Sequence, residues 1–211
     1  YDLFSLAVDL GINLENHLSA LSSLPKQYQN WPLHQKSNLA LAYSAYEKII
    51  GGETLPILKN FQWAARNQCL EADGKATIFL DGAHNPDSIL KWKESLASPQ
   101  KVILGVLDDK DFKEIWESIS DFVSELYLVK GKSPRFLDPR VMEKMVNKKA
   151  VVFDSVPELI QQIQKEKDSY HCIGSLYLMG EMIENLCFDY PQLEWFQQFS
   201  ADTNETTLQR K

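Results

Sequence analysis

The residues with the most chemical promise lie in Phe79-Leu-Asp-Gly-Ala-His-Asn-Pro-Asp-Ser88. The preceding apolar run, Lys75 to Leu80, reads as a buried strand that delivers Asp81 to its carboxyl edge, where open parallel sheets bind their ligands. Gly82 and Ala83 keep the turn small enough for a ligand to come close to the backbone. Asn85-Pro86 has the pattern of a helix start, with Asn as the cap and Pro at the first helical position. Such a helix aims its free N–H groups and the positive end of its dipole at the crevice that holds Asp81 and His84. A carboxylate there can accept hydrogen bonds from ribose hydroxyls. The plainer reading makes Asn85 only a cap and Asp81 only a turn residue, and a lone Asp-Gly turn favours it.

Three other places bear on chemistry. Arg66, in Trp63-Ala-Ala-Arg-Asn-Gln68, has the planar fork that suits a phosphate, although an isolated linker arginine is ordinarily a solvated charge. Gly174-Ser175 follows the last apolar run and opens a helix, so the Ser175 hydroxyl and nearby N–H groups could hold a carboxylate or simply cap the helix. Gly105-Val-Leu-Asp-Asp-Lys-Asp111 lies at the carboxyl edge of the second strand, and capping of the next helix by Asp109 or Asp111 explains its acidity. Trp92, Trp116 and Met179 fall at helical spacing among apolar residues and read as core.

These residues need a sheet to position them. Strands are expected over 75–80, 102–106, 126–129, 150–153 and 170–173. Helices are expected after Pro86, with Ile89, Leu90, Trp92 and Leu96 as the apolar positions, and over about 112–123, 138–146, 156–164 and 175–186. Strands alternating with helices imply right-handed βαβ units. The fold class is therefore α/β, a Rossmann-like and mostly parallel sheet of five or so strands with helices on both faces. The earlier part differs. An alanine-rich helix over 38–50 ends at Gly51-Gly52, and residues 18–33, broken by Pro25 and Pro32, read as loop. Three parts are expected: residues 1–60 as the tail of a preceding domain plus a linker, 61–200 as the α/β domain, and 201–211 as a polar tail that frays.

Composition narrows the class. The chain has 211 residues, 44% hydrophobic and 24% charged, values ordinary for a globular protein. Its net charge of −7 argues against nucleic acid as a partner, and no apolar run reaches a membrane span. Cys69, Cys172 and Cys187 suit neither a disulfide framework nor a metal site, and point to a reducing compartment such as the cytoplasm. The chain opens at Tyr1 and its first methionine is Met142, so a piece of a longer polypeptide is expected.

Taken in order, three motifs resemble those of folylpolyglutamate synthase/dihydrofolate synthase, within the wider Mur ligase family. His34-Gln35-Lys-Ser-Asn38 is similar to the family's HQxxN segment, and Trp63-Ala-Ala-Arg66-Asn-Gln68 to its WxGRxQ linker, with Ala65 where glycine is usual. Leu80-Asp81-Gly-Ala-His84-Asn85-Pro86 is similar to its LDGAHNP signature. Weaker likenesses are Gly105 to Asp111, Ser133-Pro134-Arg135 and Gly174-Ser175-Leu-Tyr177.

The resemblance implies a C-terminal domain on the glutamate side of an ATP-dependent ligase. In that family ATP phosphorylates a carboxylate of folate or dihydropteroate, and the amine of L-glutamate attacks the acyl phosphate. By motif, Asn38, Arg66 and Asp81 would contact ATP, at the base side, the phosphates and the ribose respectively. His84 and Ser175 would position glutamate, with His84 the one catalytic candidate. Magnesium and its ligands belong to the central domain, as does the phosphate-cradling loop, and no GxxxxGK[ST] pattern occurs here. This chain alone is therefore expected to hold no metal, bind ATP weakly and turn nothing over. The family is usually monomeric. Alternatives are a peptidoglycan-type Mur ligase domain, against which the HQxxN segment and Gly174-Ser-Leu-Tyr-Leu-Met-Gly-Glu181 speak, and a non-catalytic α/β nucleotide-binding module.

Overall fold

The computed structural model describes residues 35–40, 42, 64–194 and 196. The chain divides into two compact units, residues 1–63 and 64–211. In the first, residues 35–40 and 42 are helical, with Leu39 and Ala40 buried and Asn38 exposed. His34, Trp63, the remainder of the 38–50 helix, the 18–33 loop and the 201–211 tail lie outside the described residues.

Among the described residues the second unit has six strands: β1 (Gln68–Leu70), β2 (Thr77–Leu80), β3 (Gln100–Leu104), β4 (Val123–Val129), β5 (Ala150–Phe153) and β6 (Ser169–Ile173). Their spatial order is β1-β2-β6-β3-β4-β5. All neighbours are parallel except β1, which runs antiparallel to β2. Four α-helices lie between strands, α1 (Pro86–Glu94), α2 (Phe112–Ile119), α3 (Pro139–Met145) and α4 (Val156–Glu166), and α5 (Leu176–Leu186) follows β6. This is the α/β sheet the alternation predicts, with one strand added at its edge. β1 escapes the sequence pattern because its three residues, Gln-Cys-Leu, are too few to alternate.

Period-two alternation splits the core into two layers. Ile78, Leu80, Ile103, Tyr127, Tyr170 and Cys172 face α4 and α5, whereas Val102, Leu104, Leu126, Leu128 and Ile173 face α1, α2 and α3. The helices bury matching stripes. Phe112, Ile115, Trp116 and Ile119 in α2 are spaced i, i+3, i+4, i+7, and Val156, Leu159 and Ile163 serve α4 in the same way. Trp92, Trp116 and Met179 are buried as expected, whereas Leu90 is exposed on the outer side of α1.

Several boundaries differ from the sequence expectation, each for a local reason. The α1 helix ends at Glu94, before Leu96. β3 stops at Leu104 because the chain leaves the sheet at Gly105, and the Val106 carbonyl then accepts from Leu137 N–H at 2.9 Å. α2 ends at Ile119, and a single 3-10 turn over Ser120–Phe122 feeds directly into β4. Among the described residues no helix is long and apolar enough to cross a membrane.

At the amino end of the sheet a polar network locks α4 onto the strands. The Tyr127 hydroxyl lies 2.9 Å from Glu125 and 3.0 Å from Glu166, and the Tyr170 hydroxyl donates to the same Glu166 oxygen. The Tyr170 hydroxyl is the leading reason the Glu166 carboxyl sits below the usual carboxylate range. Both tyrosines are buried, so Glu166→Ala strips an acceptor from two phenols at once. A loss of about 1–3 kcal/mol is expected, measured by urea unfolding, with Glu166→Gln retaining part of it.

Candidate functional site

The insertion of β6 between β2 and β3 creates the site. After β2 the chain turns into α1 on one face, and after β6 it turns into α5 on the other. Adjacent strands whose continuations diverge in this way leave a crevice at their carboxyl ends. An open cleft of about 170 Å³ lies there, lined by residues from four connections: His84 after β2, Leu107, Asp109 and Lys110 after β3, Arg135 after β4, and Gly174 to Tyr177 after β6.

Backbone contacts fix these loops to one another. Gly174 N–H donates to the Ala83 carbonyl at 2.7 Å. Asp108 N–H donates to the Arg135 carbonyl at 2.8 Å, next to an antiparallel bridge between Leu107 and Phe136. Residues remote in sequence are thereby held at one sheet edge.

His84 closes the signature turn, immediately before Asn85, the cap of α1. Its Nδ1 lies 2.8 Å from the Gly82 carbonyl. A carbonyl can only accept, so Nδ1 carries the proton and Nε2 of the neutral ring keeps its lone pair. The His84 backbone N–H donates to Ser88 Oγ at 3.0 Å, and Asn85 and Ser88 complete a reciprocal capping box at the head of α1 with Pro86 in its first turn. The Asn85-Pro86 start is thus where the sequence puts it. Gly82 accommodates a neighbour within the protein: a Cβ there would come within 2.5 Å of the Leu176 side chain.

Asp81 is buried and does not line the cleft. Its Oδ2 accepts from Asn67 N–H at 2.8 Å and its Oδ1 from Ala83 N–H at 2.9 Å. It therefore ties the signature turn to the segment that carries Arg66. That segment is tightly turned. Ala65 and Asn67 flank Arg66 with φ of 54° and 47°, and the Ala65 carbonyl accepts from Gly82 N–H at 2.8 Å. A left-handed backbone at Ala65 is the conformation that glycine adopts without cost. Asp81→Asn turns an amide NH2 toward a backbone donor, and is expected to cost about 1–3 kcal/mol in urea unfolding.

Ser175 is buried at the cleft floor, and its Oγ accepts from Tyr177 N–H at 3.1 Å as the cap of α5. Asn38 belongs to the first unit. Of the residues singled out from sequence, the structure brings His84 and Ser175 to the cleft, with Asp81 and the Arg66 turn joined beside the same loop.

Three lining residues escape a reading of types and spacing alone. Arg135, Lys110 and Tyr177 appear in sequence only inside weakly matching segments. In the structure the Arg135 guanidinium lies 5.6 Å from the Tyr177 ring centre, and its Nη1 is 3.4 Å from the Tyr177 hydroxyl. The acidic loop also divides its labour. Asp111 caps α2 by accepting from Glu114 N–H at 3.1 Å, whereas Asp109 turns to Lys110 and Arg135. Among the described residues no three histidine, cysteine or acidic side chains gather as a metal ion would need.

Comparison with known proteins places this architecture. Residues 65–176 match the family model described as "Mur ligase, glutamate ligase domain", and those bounds run from the Arg66 turn to the cleft rim. A comparison with curated proteins finds no match. Among solved structures, folylpolyglutamate synthase from Thermotoga maritima superposes with a TM-score of 0.59 at 26% identity, over 72% of this chain and 38% of that one. Mycobacterium tuberculosis folylpolyglutamate synthase, complexed with ADP and AMPPCP, gives 0.62 at 19% identity over 72% of this chain and 39% of its own. A bifunctional folylpolyglutamate synthase/dihydrofolate synthase with Mn, AMPPNP and L-glutamate bound gives 0.60 at 22% identity over 74% and 40%. The chain thus spans about two fifths of the length of the solved proteins it matches.

Proposed function

We propose, because this chain belongs to the Mur ligase family's glutamate ligase domain, that it forms the glutamate-binding side of an ATP-dependent ligase that joins L-glutamate to folate or dihydropteroate. The observation that carries the reading is the cleft itself. A family match over 65–176 encloses an opening whose rim presents an imidazole, an ammonium and a guanidinium to one small volume. An acidic amino acid is the ligand such a rim suits, because a guanidinium grips a carboxylate in a planar, charge-assisted pair.

In this reading the amine of glutamate attacks an acyl phosphate of the folate or pteroate, forming the amide and releasing phosphate. The part played by this chain is to hold the nucleophile. Lys110 and Arg135 draw in a carboxylate, Ser175 and Gly174 shape the floor, and His84, which lines the cleft with its Nδ1 engaged by the Gly82 carbonyl, leaves Nε2 to accept a proton or an ammonium hydrogen bond. ATP would meet this chain through Arg66, Asn38 and Asp81. Asp81, buried and bonded to Asn67 N–H, supports that contact by orienting the Arg66 turn, and in a complete ligase Asp81→Ala raises KM for ATP. In this reading magnesium is held by residues of the ATP-binding domain.

The test is a ligase assay on a polypeptide that carries this chain together with an ATP-binding domain. Glutamate-dependent phosphate release with folate or dihydropteroate is expected, and none from residues 1–211 alone. Turnover of a UDP-muramyl substrate instead would move the chain to peptidoglycan synthesis, and no turnover of either would leave a binding module.

A further inference from the structure

We propose that Asp109 is an internal stand-in for the ligand's carboxylate: it fills the cationic corner made by Lys110 and Arg135, and an acidic amino acid entering the cleft displaces it. The proposal rests on the reading above that the cleft receives glutamate, and adds how its affinity and selectivity are set.

The geometry is specific to one atom. Asp109 Oδ2 lies 3.5 Å from Lys110 Nζ and 3.4 Å from Arg135 Nη2. Both exceed the roughly 2.7–2.9 Å of a well-formed charge-assisted bond, and the side chains are 35–49% exposed. An exposed ion pair of this quality contributes little and is easily exchanged for a better carboxylate. Asp109 has no helix to cap, since Asp111 performs that role for α2.

The Arg135 cation, and the backbone that carries Lys110, have holds of their own apart from Asp109. The Arg135 guanidinium rests against the Tyr177 ring. Its loop is joined to the Lys110 loop by the Leu107–Phe136 bridge, by Asp108 N–H to the Arg135 carbonyl at 2.8 Å, and by Leu137 N–H to the Val106 carbonyl at 2.9 Å. Two cations facing one opening repel each other, and a nearby carboxylate on a short side chain relieves that repulsion until a ligand arrives. Observed affinity is then the difference between the ligand's carboxylate and Asp109. The ligand group that takes this corner is the side-chain carboxylate, so L-glutamine, which offers an uncharged carboxamide there, lacks the charge to compete and is excluded.

The experiment is titration of this chain with L-glutamate and L-glutamine, with affinity read from amide shifts of the cleft loops. Asp109→Asn is expected to bind L-glutamate about fivefold tighter than the parent, and the gain should shrink at high salt. Arg135→Gln should bind L-glutamate more weakly and lose the preference for it over L-glutamine. A second readout needs no variant: in the parent, L-glutamate shifts the Asp109 side-chain carboxyl 13C resonance and L-glutamine does not. If the parent's cleft amides respond to L-glutamate while Asp109→Asn binds no tighter, or the Asp109 carboxyl stays still, the stand-in role is overturned and the glutamate site survives. If no cleft amide moves in any variant, the glutamate reading falls, and the stand-in with it.

Discussion

Gly174→Ala is expected to destabilise the chain by about 3–5 kcal/mol, a large share of the ~5–15 kcal/mol that holds a typical domain together. Gly174 has φ of +109°, a backbone conformation that an L-residue rarely adopts. Space is closed as well: a Cβ would stand 2.8 Å from the Gly105 carbonyl oxygen and 2.9 Å from Leu104 Cδ1. Backbone cannot step aside as a flexible side chain can, so the β6 loop and the β3 loop would have to part. Because Gly174 N–H also holds the Ala83 carbonyl, the His84 turn would shift with them. Urea unfolding at neutral pH measures the effect. A variant within 1 kcal/mol of the parent would mean that the cleft floor has slack that its contacts deny.

The second large effect is a dependence on acid. His171, in the middle of β6, is 5% exposed. It stacks on Phe79 at 4.5 Å between ring centres and meets the Trp92 edge at 5.8 Å, and its Nδ1 has no hydrogen-bond partner. Burial alone pushes its pKa from 6.5 down to about 4. The unfolded chain therefore binds a proton at a higher pH than the folded one, and stability must fall as pH drops through that interval. The loss is absent above about pH 6.5, grows below it and levels off near pH 4, at about 3 kcal/mol for a shift of this size. Glu166 and Asp168 also lose stabilisation in acid, but their carboxyls lie below the usual range and act mainly beneath this window. His171→Phe keeps a flat ring and removes the proton site. Parent and variant should converge in stability at neutral pH and separate on acidification, with the variant more stable at pH 4.5. Parallel pH profiles would show that His171 already takes its proton while folded.

Much of the frame was legible because local signals and burial agree. The Asn85-Pro86 start, the Gly174-Ser175 start and the apolar stripes of α2 and α4 each state their role in a few consecutive residues. The cleft was only half legible. His84 and Ser175 sit in motifs with helix starts beside them, whereas Arg135 and Tyr177 become partners only because β6 enters the sheet between β2 and β3, and no run of residues encodes that order. Asp109 and Asp111 are equivalent caps on spacing alone. Which of them caps is decided by the chain's path out of β3, bound to the 135–137 segment. His171 carries no signal in sequence, since one histidine in an apolar strand looks the same whether its ring nitrogen is paired or orphaned. Asp81 shows the converse case. Its position at the strand's edge is plain from the sequence, yet its carboxylate is turned inward to two backbone N–H groups, which links it to the Arg66 turn.

A crystal of this chain soaked with L-glutamate decides where the amino acid goes. The expected density lies in the cleft after β2, β3, β4 and β6, with the side-chain carboxylate against Arg135 and Lys110, the amine toward His84, and Asp109 turned away. Density on any other surface, with the Asp109 contacts to Lys110 and Arg135 intact, would contradict the assignment of this edge of the sheet to glutamate.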